Sequence, residues 1–321
     1  ICHNSVKRVT IYSIMTTLSD YREERLKKLT EIRSQGINPY PSKSYRNTKI
    51  STILNHFDEK DGQEVCVAGR IIAIRSFGKI AFVKIQDYFG EIQIFMQATD
   101  DVKEGEFGVK QLKLLDTGDF VEANGVVGKS STGEISVFAN SVRLLTKALR
   151  PLPGHDGLKN KEERYRRRYV DMNVNPEVRE RLVRRSKFWQ ATREFMMNHG
   201  FIEVNTPVLE LTTGGADANP FVTHMDALDT DYYLRISQEL PLKRLLGGGF
   251  EKVFDIGPRF RNEGVDDEHL PEHIAFESYA AYEDYEDGME LYEAMIKYVA
   301  QQTWGTLKFN VGGFEVDLDC E

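Results

Sequence analysis

Cysteine is scarce in this chain. Cys2, Cys66 and Cys320 are the whole complement of 321 residues, and none has the near neighbours that a zinc site or a disulfide framework requires. Each serves most simply as a small apolar filler, no metal ligands are expected, and a reducing, cytoplasmic setting is the default. Long apolar runs are missing as well: no stretch approaches the roughly 18 to 20 residues that cross a bilayer, so no membrane is expected among the partners. The opening ICHNSVKRVTIYSI has neither the apolar core nor the small-residue cleavage site of a secretory signal. Residues 1–14 are therefore expected to be an upstream segment, with Met15 as the start. There is no internal repeat and no low-complexity tract.

Excess positive charge is also lacking. The formal net charge of -8 excludes indiscriminate polyanion binding, although local basic runs remain at 159–168 (KNKEERYRRR) and 179–187 (RERLVRRSK). A solvated helix face explains any single one of these charges better. With 40% apolar and 29% charged residues, the chain has the composition of an ordinary globular protein long enough for two domains.

From Thr17, the spacing of Leu18, Tyr21, Arg25, Leu26, Leu29 and Ile32 predicts one helix, stopped by Gly36, Pro39 and Pro41. With an extended arm it fills 15–62. The texture then turns to short β-rich runs: VCVAGRIIAI, KIAFVKIQD, GEIQIFMQ, DFVEANGVVGK and GEISVFANSVRLL, punctuated by Gly78, Gly90, Gly118 and Gly133. Five strands and a helical interruption near Val109 predict an OB-like barrel over 63–147, a fold that commonly binds oligonucleotides. A linker is expected from Lys147, with Pro151 and Pro153, and spans 148–176. Pro176 to Gly200 then predicts a long helix presenting Val178, Leu182, Trp189, Thr192 and Met196 on one side. Strands alternate with short helices thereafter, so the class is α+β.

One stretch concentrates chemistry. Phe260-Arg-Asn-Glu263 is followed by His269-Leu-Pro-Glu-His273 and Phe276-Glu-Ser-Tyr279, within a pattern that otherwise alternates like sheet. A strand, loop and returning strand holding a nucleoside triphosphate fits this arrangement. So does a charged surface hairpin.

The order of segments around it resembles the class II aminoacyl-tRNA synthetases, most closely their lysyl branch. Gly200-Phe-Ile-Glu-Val-Asn-Thr-Pro207 looks like the family's first motif and the charged hairpin like its second. Ala148-Leu-Arg-Pro-Leu-Pro, Arg164-Tyr-Arg-Arg-Arg-Tyr-Val-Asp, Gly214-Gly-Ala, Pro220-Phe-Val-Thr-His, Tyr233-Leu-Arg-Ile and Glu239-Leu-Pro-Leu-Lys-Arg-Leu extend the likeness from Met15 to Glu321. It implies an antiparallel-sheet catalytic domain, incomplete, over 177–321, and a homodimer through 200–209.

The resemblance also implies roles. Arg261 would clamp the α-phosphate of ATP, Glu263 would meet adenine, His269 would lie near the β and γ phosphates, and His273 would stack on the base. Glu239, Glu277 and Tyr279 would select L-lysine, with backbone near Gly215 receiving the amino-acid head. An ammonium taken from water needs opposed carboxylates; an aspartate pocket would want arginine or lysine instead. Glu277 and Tyr279, two apart on one strand, share a face. In the barrel, Phe82, Gln93 and Glu134 would read an anticodon base of tRNA(Lys), with Arg75 on its backbone.

Departures accompany the likeness. His273 stands where the lysyl branch carries Phe, and an imidazole there is smaller and expected to titrate near neutral pH, which makes ATP affinity weaker or pH-dependent. Leu270 replaces a polar group, and Asn219 a basic one. The third motif, with its arginine, and the late acids for Mg2+ and for the pocket are absent, so the chain by itself is expected to bind poorly and not to complete the reaction. An aspartyl or asparaginyl relative and a non-catalytic tRNA-binding paralogue stay open as alternatives to an ATP-dependent lysine–tRNA ligase.

Overall fold

Apolar spacing sets the first element. In the computed structural model, which describes residues 18–153, 158–266 and 269–320, α1 (Leu18–Ser34) buries Arg25, Leu29 and Ile32. The expected upstream segment 1–14 lies outside the described residues. The chain forms two units, divided between Val174 and Asn175.

In the first unit, α2 (Ile50–Asn55) and α3 (Phe57–Lys60) precede β1 (Glu64–Phe77), β2 (Ile80–Gln86), β3 (Glu91–Gln97), a 3-10 turn at Val109–Leu114, β4 (Phe120–Lys129), β5 (Ile135–Ala139) and β6 (Arg143–Thr146). The sheet runs β1-β2-β3-β5-β4-β6, and β1 pairs β4 as well. Strand β1 is long enough to serve both neighbours: Glu64 to Arg70 pair with β4 and Arg70 to Phe77 with β2. That double use closes a barrel. The run read as a fifth strand divides in two, because β5 pairs β3 in parallel while β6 returns against β4. Alternation drives the closure: along β2, Ala81, Val83 and Ile85 are buried and the residues between them half-exposed, so one face of each strand fills the interior. Gly125 is required where β4 crosses β5, since a Cβ there would stand 2.2 Å from the Phe138 carbonyl oxygen.

The chain does not loosen at Lys147. Its ammonium is buried between Asp116 and Asp119, and Arg25 donates to the carbonyls of Ala148 and Arg150 at 3.0 and 3.1 Å. Two short helices, α4 (Lys161–Arg166) and α5 (Arg168–Val174), end the unit. Asp171 is buried and paired by Arg164 and Arg168, so part of the basic run is structural.

The second unit opens with α6 (Pro176–Asn198), started by Pro176 and stopped at Gly200 with φ +81. Val178, Thr192 and Met196 are buried as the stripe predicts, but Leu182 is 49% exposed. Then come β7 (Ile202–Glu203), β8 (Leu209–Glu210), β9 (Val222–Met225), β10 (Thr230–Leu234), α7 (Glu239–Gly247), β11 (Lys252–Phe260), β12 (Glu272–Ala280), α8 (Tyr285–Trp304) and the hairpin β13 (Lys308–Val311) with β14 (Phe314–Asp317). One three-stranded sheet runs β8-β10-β9 and another β12-β11-β7. Strands β11 and β12 form an antiparallel ladder from Lys252↔Ala280 to Phe260↔Glu272. Phe254, Ile256 and Phe276 pack on Phe195, Met196, Met295 and Val299 of α6 and α8. The other face of the ladder, carrying Asp255, Gly257, Arg259, Glu277 and Tyr279, is left for chemistry. Among the described residues no helix is long and apolar enough to cross a membrane.

Candidate functional site

The helix-averted face of the β11 and β12 ladder is floored by charge. Arg235, 2% exposed, pairs with Asp255 at 3.0 Å and donates to the Thr206 and Pro258 carbonyls. It lies against Gly257, where a Cβ would stand 2.2 Å from Nη2; only glycine leaves that notch. Reading the sequence gave Arg235 no role, although it lies in the quoted Tyr233-Leu-Arg-Ile segment. Its partner is 20 residues away, a distance that no periodicity reports.

At one end of this floor, Arg261, Glu263, His269 and His273 line a cavity of about 410 Å³ with Gly264 and Leu270. Arg261 leaves β11 with its backbone N–H on the Pro271 carbonyl at 3.0 Å. Its Nε is buried without a hydrogen-bond partner, and among the described residues it has no salt bridge. Glu263 accepts from the Asn219 amide at 3.3 Å, and the Asn262 amide donates to the Asn219 carbonyl at 2.8 Å. Asn219 therefore steadies the loop through its backbone, a task its side chain does not limit. The exposed His269 ring is held by Asp266 at 2.8 Å. His273 sits opposite Arg259 in the ladder. Burial first, then the charges of Arg259 and Arg261, hold its pKa below the usual imidazole value. The shift moves its titration to the acid side of the ordinary imidazole value.

At the other end, Glu277 accepts from the Ser237 hydroxyl at 2.9 Å and the Gln238 amide at 3.3 Å, with Arg259 Nη2 at 3.4 Å. Glu239 opens α7 and pairs with Lys243 at 2.6 Å. Gly215 closes this end with φ +86, and a Cβ there would stand 2.7 Å from that of Glu239 and 2.8 Å from the Ser237 hydroxyl. Burial, then Glu277 and Glu239, push the Tyr279 hydroxyl up to about 12, so it stays protonated and able to donate. The fold thus brings together Gly215, Glu239, Glu277 and Tyr279, and separately Arg261, Glu263, His269 and His273. Ser237 and Arg259 join them unforeseen. A larger concavity of about 640 Å³ along Asn205, Glu210, Tyr232 and Arg244 contains none of these groups.

The barrel presents a second candidate surface. Cross-strand register aligns Arg75, Phe82, Phe95 and Phe138 in one row over β1, β2, β3 and β5. The rings are half-exposed and in contact, Phe82 and Phe95 T-shaped with centroids 5.3 Å apart and Phe95 and Phe138 tilted at 5.1 Å. In the next row Gln93 donates to Ser136 at 3.0 Å. Glu134 is exposed in the turn before β5. Phe95 and Phe138 were missed, yet Phe95 lies two residues from Gln93 on the same strand, which is the signal that finds it. Such a row offers π-faces outside the core.

Comparison with known proteins gives two family matches: residues 160–316 match tRNA synthetases class II (D, K and N), and residues 65–145 match the OB-fold nucleic acid binding domain. Among curated proteins, the lysine–tRNA ligase of Clostridium botulinum (strain Langeland) is 43% identical over 310 residues, 96% of this chain and 61% of its own length. Those of Fervidobacterium nodosum and Listeria innocua are each 45% identical, over 94% of this chain and 60% and 61% of their own lengths. The chain thus spans about 61% of the length of such relatives.

Proposed function

We propose, from the premise that the chain belongs to the class II tRNA synthetases of the D, K and N group, that it forms the lysine-activating and anticodon-reading part of an ATP-dependent lysine–tRNA ligase. The observation that carries this is the division of one sheet face into an arginine-lined cavity and an acid-lined end. Activation needs no strong base, because a carboxylate already attacks phosphorus; it needs alignment and stabilised charge. Arg261, with unspent donors, suits the α-phosphate, since a guanidinium grips two oxygens at once. Glu263 and the His273 ring would meet adenine, and His269 the outer phosphates. Glu239, Glu277 and the protonated Tyr279 would take the substrate ammonium, with Gly215 receiving the amino-acid head. An uncharged analogue leaves those acids unpaired.

On the barrel, Phe82 would stack an anticodon base of tRNA(Lys), Gln93 and Glu134 would read its edge, and Arg75 would meet the backbone. The exposed Ile202, Leu209 and Leu211 support a homodimer in which a second copy covers 200–209. Among the described residues no three His, Cys, Asp or Glu side chains converge to hold a metal, so no residue here is assigned to Mg2+. A cytoplasmic location follows from the reaction proposed.

Pyrophosphate exchange on the full-length protein, run with lysine and aspartate side by side, tests this function. Lysine-dependent exchange is expected; exchange with aspartate alone would sink the lysine assignment.

A further inference from the structure

Arg259 reaches Glu277 at the acid-lined end but has been given no task in the reaction, and its surroundings are unusual. The side chain is 16% exposed. Burial first lowers its pKa, and Arg261 and Arg235 act in the same direction against Glu277. Its one ion pair among the described residues is long, 3.4 Å to a Glu277 oxygen that already accepts from Ser237 and Gln238. Glu277 is therefore held without it. The Arg259 Nε is buried with no hydrogen-bond partner, as is that of Arg261. Arg235 is neutralised by Asp255, whereas the carboxylate paired with Arg259 already accepts from two other donors and faces the acid-lined end.

Position adds to this imbalance. Arg259 stands opposite His273 and depresses that ring at the nucleotide end, while its Nη2 reaches Glu277 at the other. It spans the join between the two halves of the face. A buried cation that is incompletely paired attracts an anion, and this join is where two anions must meet.

We infer that Arg259 is a catalytic residue that binds the α-carboxylate of the incoming amino acid and aims it at the α-phosphate held by Arg261. This rests on the lysine-activating function proposed above. One carboxylate oxygen forms a bond to the α-phosphorus as the bond from that phosphorus to the bridging oxygen breaks. The electron pair leaves with pyrophosphate, and no proton changes place. Arg259 offsets the repulsion between the approaching anions, which neither Arg261 nor the acids of the pocket can do alone.

The test uses the full-length protein with Arg259→Gln and Arg259→Lys. Binding is measured calorimetrically with lysine and with 1,5-diaminopentane, which keeps both ammonium groups' chemistry but lacks the carboxylate. Arg259→Gln is expected to weaken lysine by about tenfold or more, the worth of one charge-assisted pair, and to leave the diamine within about twofold by the same measure. Arg259→Lys should recover part of the loss. Equal weakening of lysine and the diamine overturns the inference, since Arg259 then acts through Glu277; so does lysine affinity unchanged in Arg259→Gln. If the unsubstituted protein gives exchange with aspartate and none with lysine, the underlying function fails together with the inference, an outcome separate from intact lysine exchange that ignores Arg259.

Discussion

The outer face of the barrel and the open face of the β11 and β12 ladder are both sheet surfaces turned away from a core, yet they are furnished oppositely. The barrel row of Phe82, Phe95 and Phe138 is aromatic and half-exposed. The ladder carries Asp255, Arg259 and Glu277, with Arg235 packed against it, all largely withdrawn from water. A ring needs no partner to remain exposed, so a stacking surface can be assembled residue by residue. Buried charge is different: each group is tolerable only through another, often on a distant segment. The first surface gives up affinity gradually when altered, whereas the second fails as a unit.

Removing one member of the buried pair breaks this contrast most sharply. Asp255→Ala leaves Arg235 with carbonyls and a hydroxyl but no counter-charge, and should cost about 3–5 kcal/mol in denaturant unfolding of the full-length protein. The matched change on the barrel, Glu91→Ala, loses the exposed pair with Lys84 and should cost no more than about 1 kcal/mol. Similar losses at the two positions would erase the distinction. Next in size, Arg261→Ala should lower lysine-dependent pyrophosphate exchange by about 100- to 1,000-fold without changing affinity for tRNA(Lys). On the other surface, Phe82→Ala should weaken that affinity by about 1–3 kcal/mol and leave exchange intact; an equal fall in exchange would make Phe82 a packing residue instead.

The smallest effect concerns pH. His273 has a folded pKa below its unfolded value, so folding disfavours its charged form. Above the unfolded value the ring is neutral in both states and contributes nothing. As pH falls from there through the folded value, a penalty develops. ATP binding should therefore be level through neutrality and change only on the acid side, and His273→Phe should remove that change. A transition in binding centred above the ordinary imidazole value, abolished by His273→Phe, would contradict the depressed pKa.

Short β-rich runs made the barrel legible, but Phe82 was marked only by resemblance; it is the burial of Ala81, Val83 and Ile85 on the opposite face that turns its ring outward. Period-2 patterning put Glu277 and Tyr279 on one face. What it lacked was partnership. Arg259 and Glu277 stand four residues apart along the ladder register, and only the long side chain lying past Gly257 and Ala275 joins them. The depression of His273 arises from burial and then from two arginines, and the sequence records neither the burial nor the directions of those side chains. Nor does a single β-rich run, 133–145, reveal that its first half pairs both β3 and β4 while its second pairs β4 alone.

The grip of Arg25 on Ala148 has a consequence in time. The two residues are 123 apart, and a ribosome adding about 5–20 residues per second delivers the second on the order of ten seconds after the first. For most of that interval α1 exists without the carbonyls of Thr117, Ala148 and Arg150 that hold it. Of the described elements α1 is thus made first and is among the last to be fastened, which leaves it open to proteases and chaperones while the chain is being born.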